Sequence, residues 1–252
     1  MLSLRQFTGK QLVSFLRQDD FAHAGEKEAI DLVMSKFKKQ PTRRILDAGC
    51  GLGGTAHYIQ NQQWGTVIGV DIEAESIKYA IEHYPSVDFH VSDVKYVDKI
   101  FSNKAPFDII CLFNSFYAFS EQPASLKALN NIAKTSASLV IFDYSIVSLN
   151  NQNSFYRESS ERNTLFKPII ISTVANTLKS SNWIMHECRD ITNKYITWYR
   201  DLINKLEKNQ SEIITRFGIQ AYNKAYITYT DIYHGLIENN LGGAIIYAEK
   251  FS

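Results

Sequence analysis

The stretch Arg44-Ile-Leu-Asp-Ala-Gly-Cys-Gly-Leu-Gly-Gly-Thr55 constrains the fold more than any other part of the chain. An apolar run, a glycine-rich turn and a helix start follow one another there. That order reads as the first strand, turn and helix of an open α/β sheet, which binds ligands at the carboxyl ends of its strands. Gly49, Gly51 and Gly53 have no Cβ, so they permit positive φ and let a ligand lie against the backbone. Asp47 stands two residues before the first glycine, and Asp71 closes the next apolar run, Thr66-Val-Ile-Gly-Val-Asp71. Acids at two successive strand ends suit a ligand that carries a cationic amino-acid group and a ribose.

The rhythm of the chain extends this reading. Strand-like runs near 44–48, 66–71, 87–91, 107–113 and 138–143 alternate with helical stretches near 53–62, 74–83 and 122–135, as crossover units on a parallel sheet require. Ile109-Ile-Cys-Leu-Phe113 and Leu139-Val-Ile-Phe142 are apolar throughout, the pattern of strands covered on both faces. An N-terminal helical lead, 1–24, precedes a helix from about Glu26 to Lys38. A helix is predicted near 169–181, a strand at Trp183–Asp190, a helical lid over 193–240, and a closing strand at 243–249. The organisation expected is therefore a lead (1–24), a core (25–192), a substrate cap (193–240) and a final core strand (241–252).

At 252 residues and 45% hydrophobic content the chain can bury a sizeable core. The formal net charge of +1 gives no electrostatic footprint for nucleic acid. No apolar run approaches the ~20 residues that span a bilayer, and the N-terminus has no signal-peptide apolar core. Cys50, Cys111 and Cys188 are far apart without a CxxC, which predicts a reduced, cytoplasmic protein with neither a disulfide framework nor a metal site.

Site residues follow from the strand ends. Asp47 is placed to compensate a ligand ammonium, Asp71 to accept ribose hydroxyls, Ile72 to pack on an adenine face, and Asp93, after Val87–Val91, to accept from the adenine amino group. A single acid after a strand is also a common turn or cap residue. Gly49–Gly54 fits the dinucleotide GxGxxG pattern too, although Asp47 beside a pyrophosphate would be repulsive. Ile45-Leu-Asp-Ala-Gly-Cys-Gly-Leu-Gly53, Gly69-Val-Asp-Ile72, Ser92-Asp-Val94, Phe107-Asp-Ile-Ile110 and Val140-Ile-Phe-Asp143 appear in order. With these motifs, over about residues 25–145, the chain resembles the class I S-adenosylmethionine-dependent methyltransferases. More narrowly it resembles those acting on small molecules such as sarcosine, dimethylglycine or phosphoethanolamine. The resemblance implies a Rossmann-like, seven-stranded, mostly parallel sheet flanked by helices, with the last strand antiparallel and a helical lid inserted before it. It also implies S-adenosylmethionine as cofactor, S-adenosylhomocysteine as product, and Val94 and Asn114 as further cofactor neighbours. Two departures are visible. Ala118 stands where such enzymes often carry histidine, and Thr135-Ser-Ala-Ser138 replaces a Pro-Gly-Gly turn.

Candidates for the acceptor side are Tyr117, in Asn114-Ser-Phe-Tyr117 after the fourth strand, and His23, in the loop expected to close over the cofactor. Tyr117 is equally explicable as a packed aromatic, and a lone histidine such as His23 is more often structural. Tyr222, Tyr226, Tyr229 and Tyr233 form a stripe at helical spacing, and Trp198 and Tyr199 precede it. The stripe packs the lid on the core or walls a cationic amine through cation–π contacts. Arg157, Arg200 and Arg216 are surface charges or anion ligands. The expectation is a methyltransferase for a small acceptor, an amine favoured, with a homodimer possible and no stable membrane insertion. A lipid or quinone O- or C-methyltransferase, and a regulatory protein that holds the cofactor without catalysis, stay open.

Overall fold

The computed structural model describes residues 4–147 and 166–251. Its strands are β1 (Arg44–Ala48), β2 (Thr66–Asp71), β3 (Asp88–Val91), β4 (Phe107–Phe113), β5 (Ala133–Ile146), β6 (Ile169–Ile170), β7 (Trp183–Asp190) and β8 (Gly242–Lys250). They form one sheet in the order β3-β2-β1-β4-β5-β8-β7, with the two-residue β6 pairing to the end of β5. Neighbours from β3 to β5 are parallel, and β8 runs antiparallel to both β5 and β7. This is the mostly parallel sheet with an inserted terminal hairpin that the motifs imply; β6 is an addition to it.

The apolar strands split their side chains between two layers, as the period of two demands. Ile45, Cys111, Phe113, Val140, Phe142 and Tyr144 join one cluster, and Leu46, Ile110, Leu112, Leu139 and Ile141 join the other. Helices α1 (Phe7–Arg17), α2 (Glu26–Met34), α3 (Gly54–Asn61) and α4 (Ala74–His83) belong to the first layer. Helices α5 (Val97–Phe101), α6 (Gln122–Asn131) and α7 (Val174–Lys179) belong to the second. Between α6 and α7, Trp183 anchors β7 by donating from Nε1 to the Leu126 carbonyl at 3.0 Å.

Two expectations need correction, and the lid resolves into parts. The helix expected near 169–181 begins only at Val174, because Ile169 and Ile170 pair with Ser145 and Ile146 as a strand. The helix expected to reach residue 135 stops at Asn131, because Ala133 already pairs with Phe107 in the sheet. The long lid is three helices, α8 (Thr192–Lys208), α9 (Gln210–Phe217) and α10 (Ile219–Ile237), broken at Asn209 and at Gly218, whose φ is +86°. Its first helix packs directly on the sheet. Tyr195 is fully buried and lies so close over β8 that a Cβ on Gly243 would sit 2.6 Å from its ring. Among the described residues no helix is long and apolar enough to cross a membrane.

Candidate active site

The turn after β1 is built as a cradle. Gly49 and Gly53 have φ of +87° and +91°, values an L side chain resists, and a Cβ on Gly49 would come within 2.4 Å of Ser115 Cβ. The Gly49 and Cys50 amides donate to the Val70 carbonyl at 2.7 and 3.0 Å, which pins the turn to the end of β2. Gly51 N–H donates to Asp71 Oδ2 at 2.8 Å. The two acids thus converge on one turn, as their positions at adjacent strand ends predict.

Asp47 is 1% exposed, and its Oδ2 has no hydrogen-bond partner. Burial, reinforced by the nearby Asp71 charge, pushes its carboxyl up to about 7. A buried carboxylate oxygen without a partner is costly, and a ligand ammonium would satisfy it. Ile72, beside Asp71, is 67% exposed. Asp93 accepts from the Lys95 amide at 3.1 Å and so caps a short turn, with its other oxygen 3.8 Å from Lys95 Nζ. The Val94 side chain is buried on the opposite layer.

Asn114 ties three elements together. Its φ of +45° lies in the left-handed region that Asn tolerates. Its Nδ2 donates to Tyr195 Oη at 2.9 Å and to Asp143 Oδ1 at 3.3 Å, while its Oδ1 accepts from the Ala24 amide at 3.3 Å. Asp143, at the end of the β5 motif, is fully buried and takes the Tyr117 and Tyr144 amides at 3.0 and 2.8 Å. Burial pushes it up to about 7, opposed by those hydrogen bonds. Asp143 therefore positions the backbone of Tyr117. The Tyr117 ring meets Tyr144 edge-on at 5.0 Å and Phe166 at 5.5 Å, and the Arg5 guanidinium lies 4.7 Å over it. Burial raises its phenol.

Tyr144, Tyr195, Tyr199 and Tyr229 continue this packed aromatic cluster, which would wall an acceptor chamber, with Tyr144 and Tyr199 hydrogen-bonded through their hydroxyls. Removing the Tyr117 hydroxyl tests what the chamber does. Tyr117→Phe should lower turnover about tenfold, the loss of one hydrogen bond of ~1–1.5 kcal/mol, with cofactor affinity unchanged. Steady-state kinetics showing wild-type turnover and acceptor KM would assign Tyr117 to packing alone.

His23 requires correction as a catalytic candidate. It is 1% exposed, with Nδ1 3.1 Å from the Ala24 carbonyl and Nε2 3.1 Å from Thr55 Oγ1, and its ring packs on Phe113 and Phe142. Burial drives it down to about 3, so it stays neutral and staples the loop to α3. The lid residues also divide. Tyr199 enters the chamber. Trp198 covers Gly25, where a Cβ would sit 2.6 Å from its ring, and donates to Glu28 Oε2 at 2.9 Å. Tyr226 and Tyr233 do not line the chamber: Tyr226 Oη donates to Glu207 at 3.1 Å, and Tyr233 Oη accepts from Arg200 Nε at 3.2 Å. Because α10 packs on α8, Tyr222 and Tyr229 of its stripe are buried, and Tyr229 meets the Tyr199 ring at 6.1 Å. Arg216 pairs with Glu212 at 2.5 Å, and Arg157 lies outside the described residues.

Sequence reasoning gave no site role to Lys10, Arg5, Asp143 or Tyr144. Asp143 carried a usable signal, since it closes the Val140–Asp143 motif as Asp71 closes the second apolar run. The others act across distances of tens of residues.

A family model described as "Methyltransferase domain" matches residues 39–216. A phosphoethanolamine N-methyltransferase of Zea mays is 22% identical over 212 residues, covering 81% of this chain and 41% of the relative. The chain spans about two-fifths of the length of the curated plant relatives it matches. Haemonchus contortus phosphoethanolamine N-methyltransferase 2, solved with phosphomonomethylethanolamine and S-adenosylhomocysteine, superposes with a TM-score of 0.84 at 17% identity, over 100% of this chain and 61% of that one. The cyclopropane synthase MmaA2 of Mycobacterium tuberculosis superposes with a TM-score of 0.81 at 15% identity, over 98% and 96%. These likenesses show a shared fold.

Proposed function

The chain belongs to the methyltransferase-domain family, and on that premise we propose that it binds S-adenosylmethionine and moves its methyl group to a small acceptor, an amine favoured. The observation that carries this reading is the unpartnered, buried Asp47 oxygen beside the glycine turn, with Asp71 at the next strand end. The cofactor, when bound, supplies a methyl on a cationic sulfur that is already activated for displacement.

The residues have separable tasks. Asp47 takes the ammonium, Asp71 the ribose hydroxyls and Asp93 the adenine amino group, while Ile72 covers the adenine face and the glycines admit the ligand backbone-close. Asn114 and Asp143 hold the loop that carries Tyr117. The chamber of Tyr117, Tyr144, Tyr195, Tyr199 and Tyr229 excludes water and aligns the acceptor, which is most of what an in-line methyl transfer needs from a protein. A neutral amine needs no general base, which suits a chamber where Ala118 replaces a histidine and His23 is sealed away. Aromatic faces favour the positive charge that develops on the nitrogen as the methyl arrives, by ~0.5–2 kcal/mol each. The amine preference also has support from the names of the Zea mays and Haemonchus contortus relatives. The near-neutral charge argues for a small acceptor over nucleic acid.

Calorimetric titration with S-adenosylhomocysteine and, separately, with NAD tests the cofactor assignment. Saturable binding of the first and none of the second is expected. The reverse would overturn the reading and make the turn a dinucleotide site.

A further inference from the structure

Helix α1 sends one side chain into the cradle. Lys10 Nζ lies 3.3 Å from both Asp71 oxygens, 3.0 Å from Glu73 Oε2 and 3.0 Å from Ser76 Oγ. The ion pair is largely buried, the Lys10 and Asp71 side chains being 11% and 9% exposed. The methylenes of Lys10 run over the glycine turn, where a Cβ on Gly51 would meet Cδ and Cε at 3.9 Å. The lysine thus donates to the two oxygens that the reading above gives to the ribose, and its stem covers the turn that the ligand would approach.

We propose that Lys10 is a built-in occupant of the ribose subsite: it holds Asp71 while the cradle is empty and is displaced when the cofactor enters. The proposal rests on Asp71 being the ribose acceptor.

Two carboxylates, Asp71 and Glu73, share the Lys10 ammonium in the free protein. The exchange has a short path. Glu73 and Ser76 already contact Nζ, so the ammonium moves off Asp71 without leaving its other partners or returning to water. Phe7 N–H donates to Glu73 Oε1 at 2.6 Å, which keeps the start of α1 tethered to Glu73. Since a ligand's apparent affinity falls with the fraction of protein in the competent state, Lys10 sets the cofactor affinity below what the carboxylates alone would give. It also makes the seating of α1 depend on whether cofactor is bound.

Lys10→Met in the full chain tests this, with Lys10→Gln as a second neutral variant should the first fold poorly, and Asp71→Ala as control. S-adenosylhomocysteine binding is read by calorimetry, and thermal melting is followed with and without the ligand. The neutral variants should bind about three- to tenfold more tightly than wild type. They should melt lower when free, their carboxylates being uncompensated, and gain more on saturation. Weaker binding would overturn the proposal by making Lys10 a ligand of the cofactor. Equal binding would overturn it by placing the ammonium beside the subsite. The underlying reading fails separately: if Asp71→Ala binds normally, Asp71 is not the ribose acceptor. If Asp71→Ala loses binding while the Lys10 variants match wild type, only the Lys10 proposal falls.

Discussion

Asp71→Ala should bind S-adenosylhomocysteine more than tenfold more weakly than wild type, measured by calorimetry. The carboxylate lost is the acceptor for the ribose, and hydrogen bonds to a charged group are worth ~1.5–3 kcal/mol each, so a single one accounts for a factor of ten. The same change frees the Gly51 amide, which donates to Asp71 Oδ2 at 2.8 Å and helps to shape the turn. Both effects act in one direction. Glu73, with its own ion pair to Lys10 at 3.0 Å, remains to keep α1 in place, so the variant should stay folded. Binding within twofold of wild type would remove Asp71 from the cofactor site.

The second large effect is a pH dependence set by Asp47. Its folded carboxyl titrates at about 7, raised first by burial and then by Asp71, far above the ordinary carboxylate range. The sign follows from proton counting. Between the ordinary range and about pH 7 the folded protein holds a proton that the unfolded chain has lost, so this group's contribution to stability declines as pH rises through that window. Asp143, also raised to about 7 by burial, contributes with the same sign. Cofactor binding runs the other way, because an incoming ammonium is matched only by ionised Asp47. Affinity for S-adenosylhomocysteine should therefore rise as pH goes from about 5.5 to 7, approaching tenfold per pH unit at its steepest. Binding at the lower pH should release up to one proton, seen by calorimetry in buffers of differing ionisation enthalpy. Asp47→Asn should bind more weakly at neutral pH and lose the slope. A wild-type affinity that is flat across this range would mean that Asp47 does not receive the ammonium.

The parts of this molecule legible in the sequence are those whose determinants are local. β1, β2, β4 and the centre of β5 are apolar runs, and the turn announces itself through closely spaced glycines whose positive φ the structure requires. Parallel order and the terminal hairpin follow from the succession of such units. The elements misread are those decided by tertiary partners. Ile169 and Ile170 are as apolar as the start of a helix, and only the free edge at the end of β5 makes them a strand. Gly218 breaks the lid just before the helix that carries the whole tyrosine stripe. His23 sits one residue from a backbone it bonds and far along the chain from Thr55, so its burial could not be foreseen. Lys10 meets Asp71 across sixty-one residues, and Asp143 holds Tyr117 across twenty-six. Nothing in a single helix pattern marks that Lys10 of α1 points inward.

The most direct test of the central claim is methyl transfer itself. The protein is incubated with methyl-labelled S-adenosylmethionine and a small-metabolite extract, with Asp71→Ala as control, and labelled products are sought by mass spectrometry. A labelled small amine present with wild type and absent with the control is the predicted result. Saturable cofactor binding with no labelled product of any class would contradict a small-molecule methyltransferase and leave a protein that holds the cofactor without transferring its methyl.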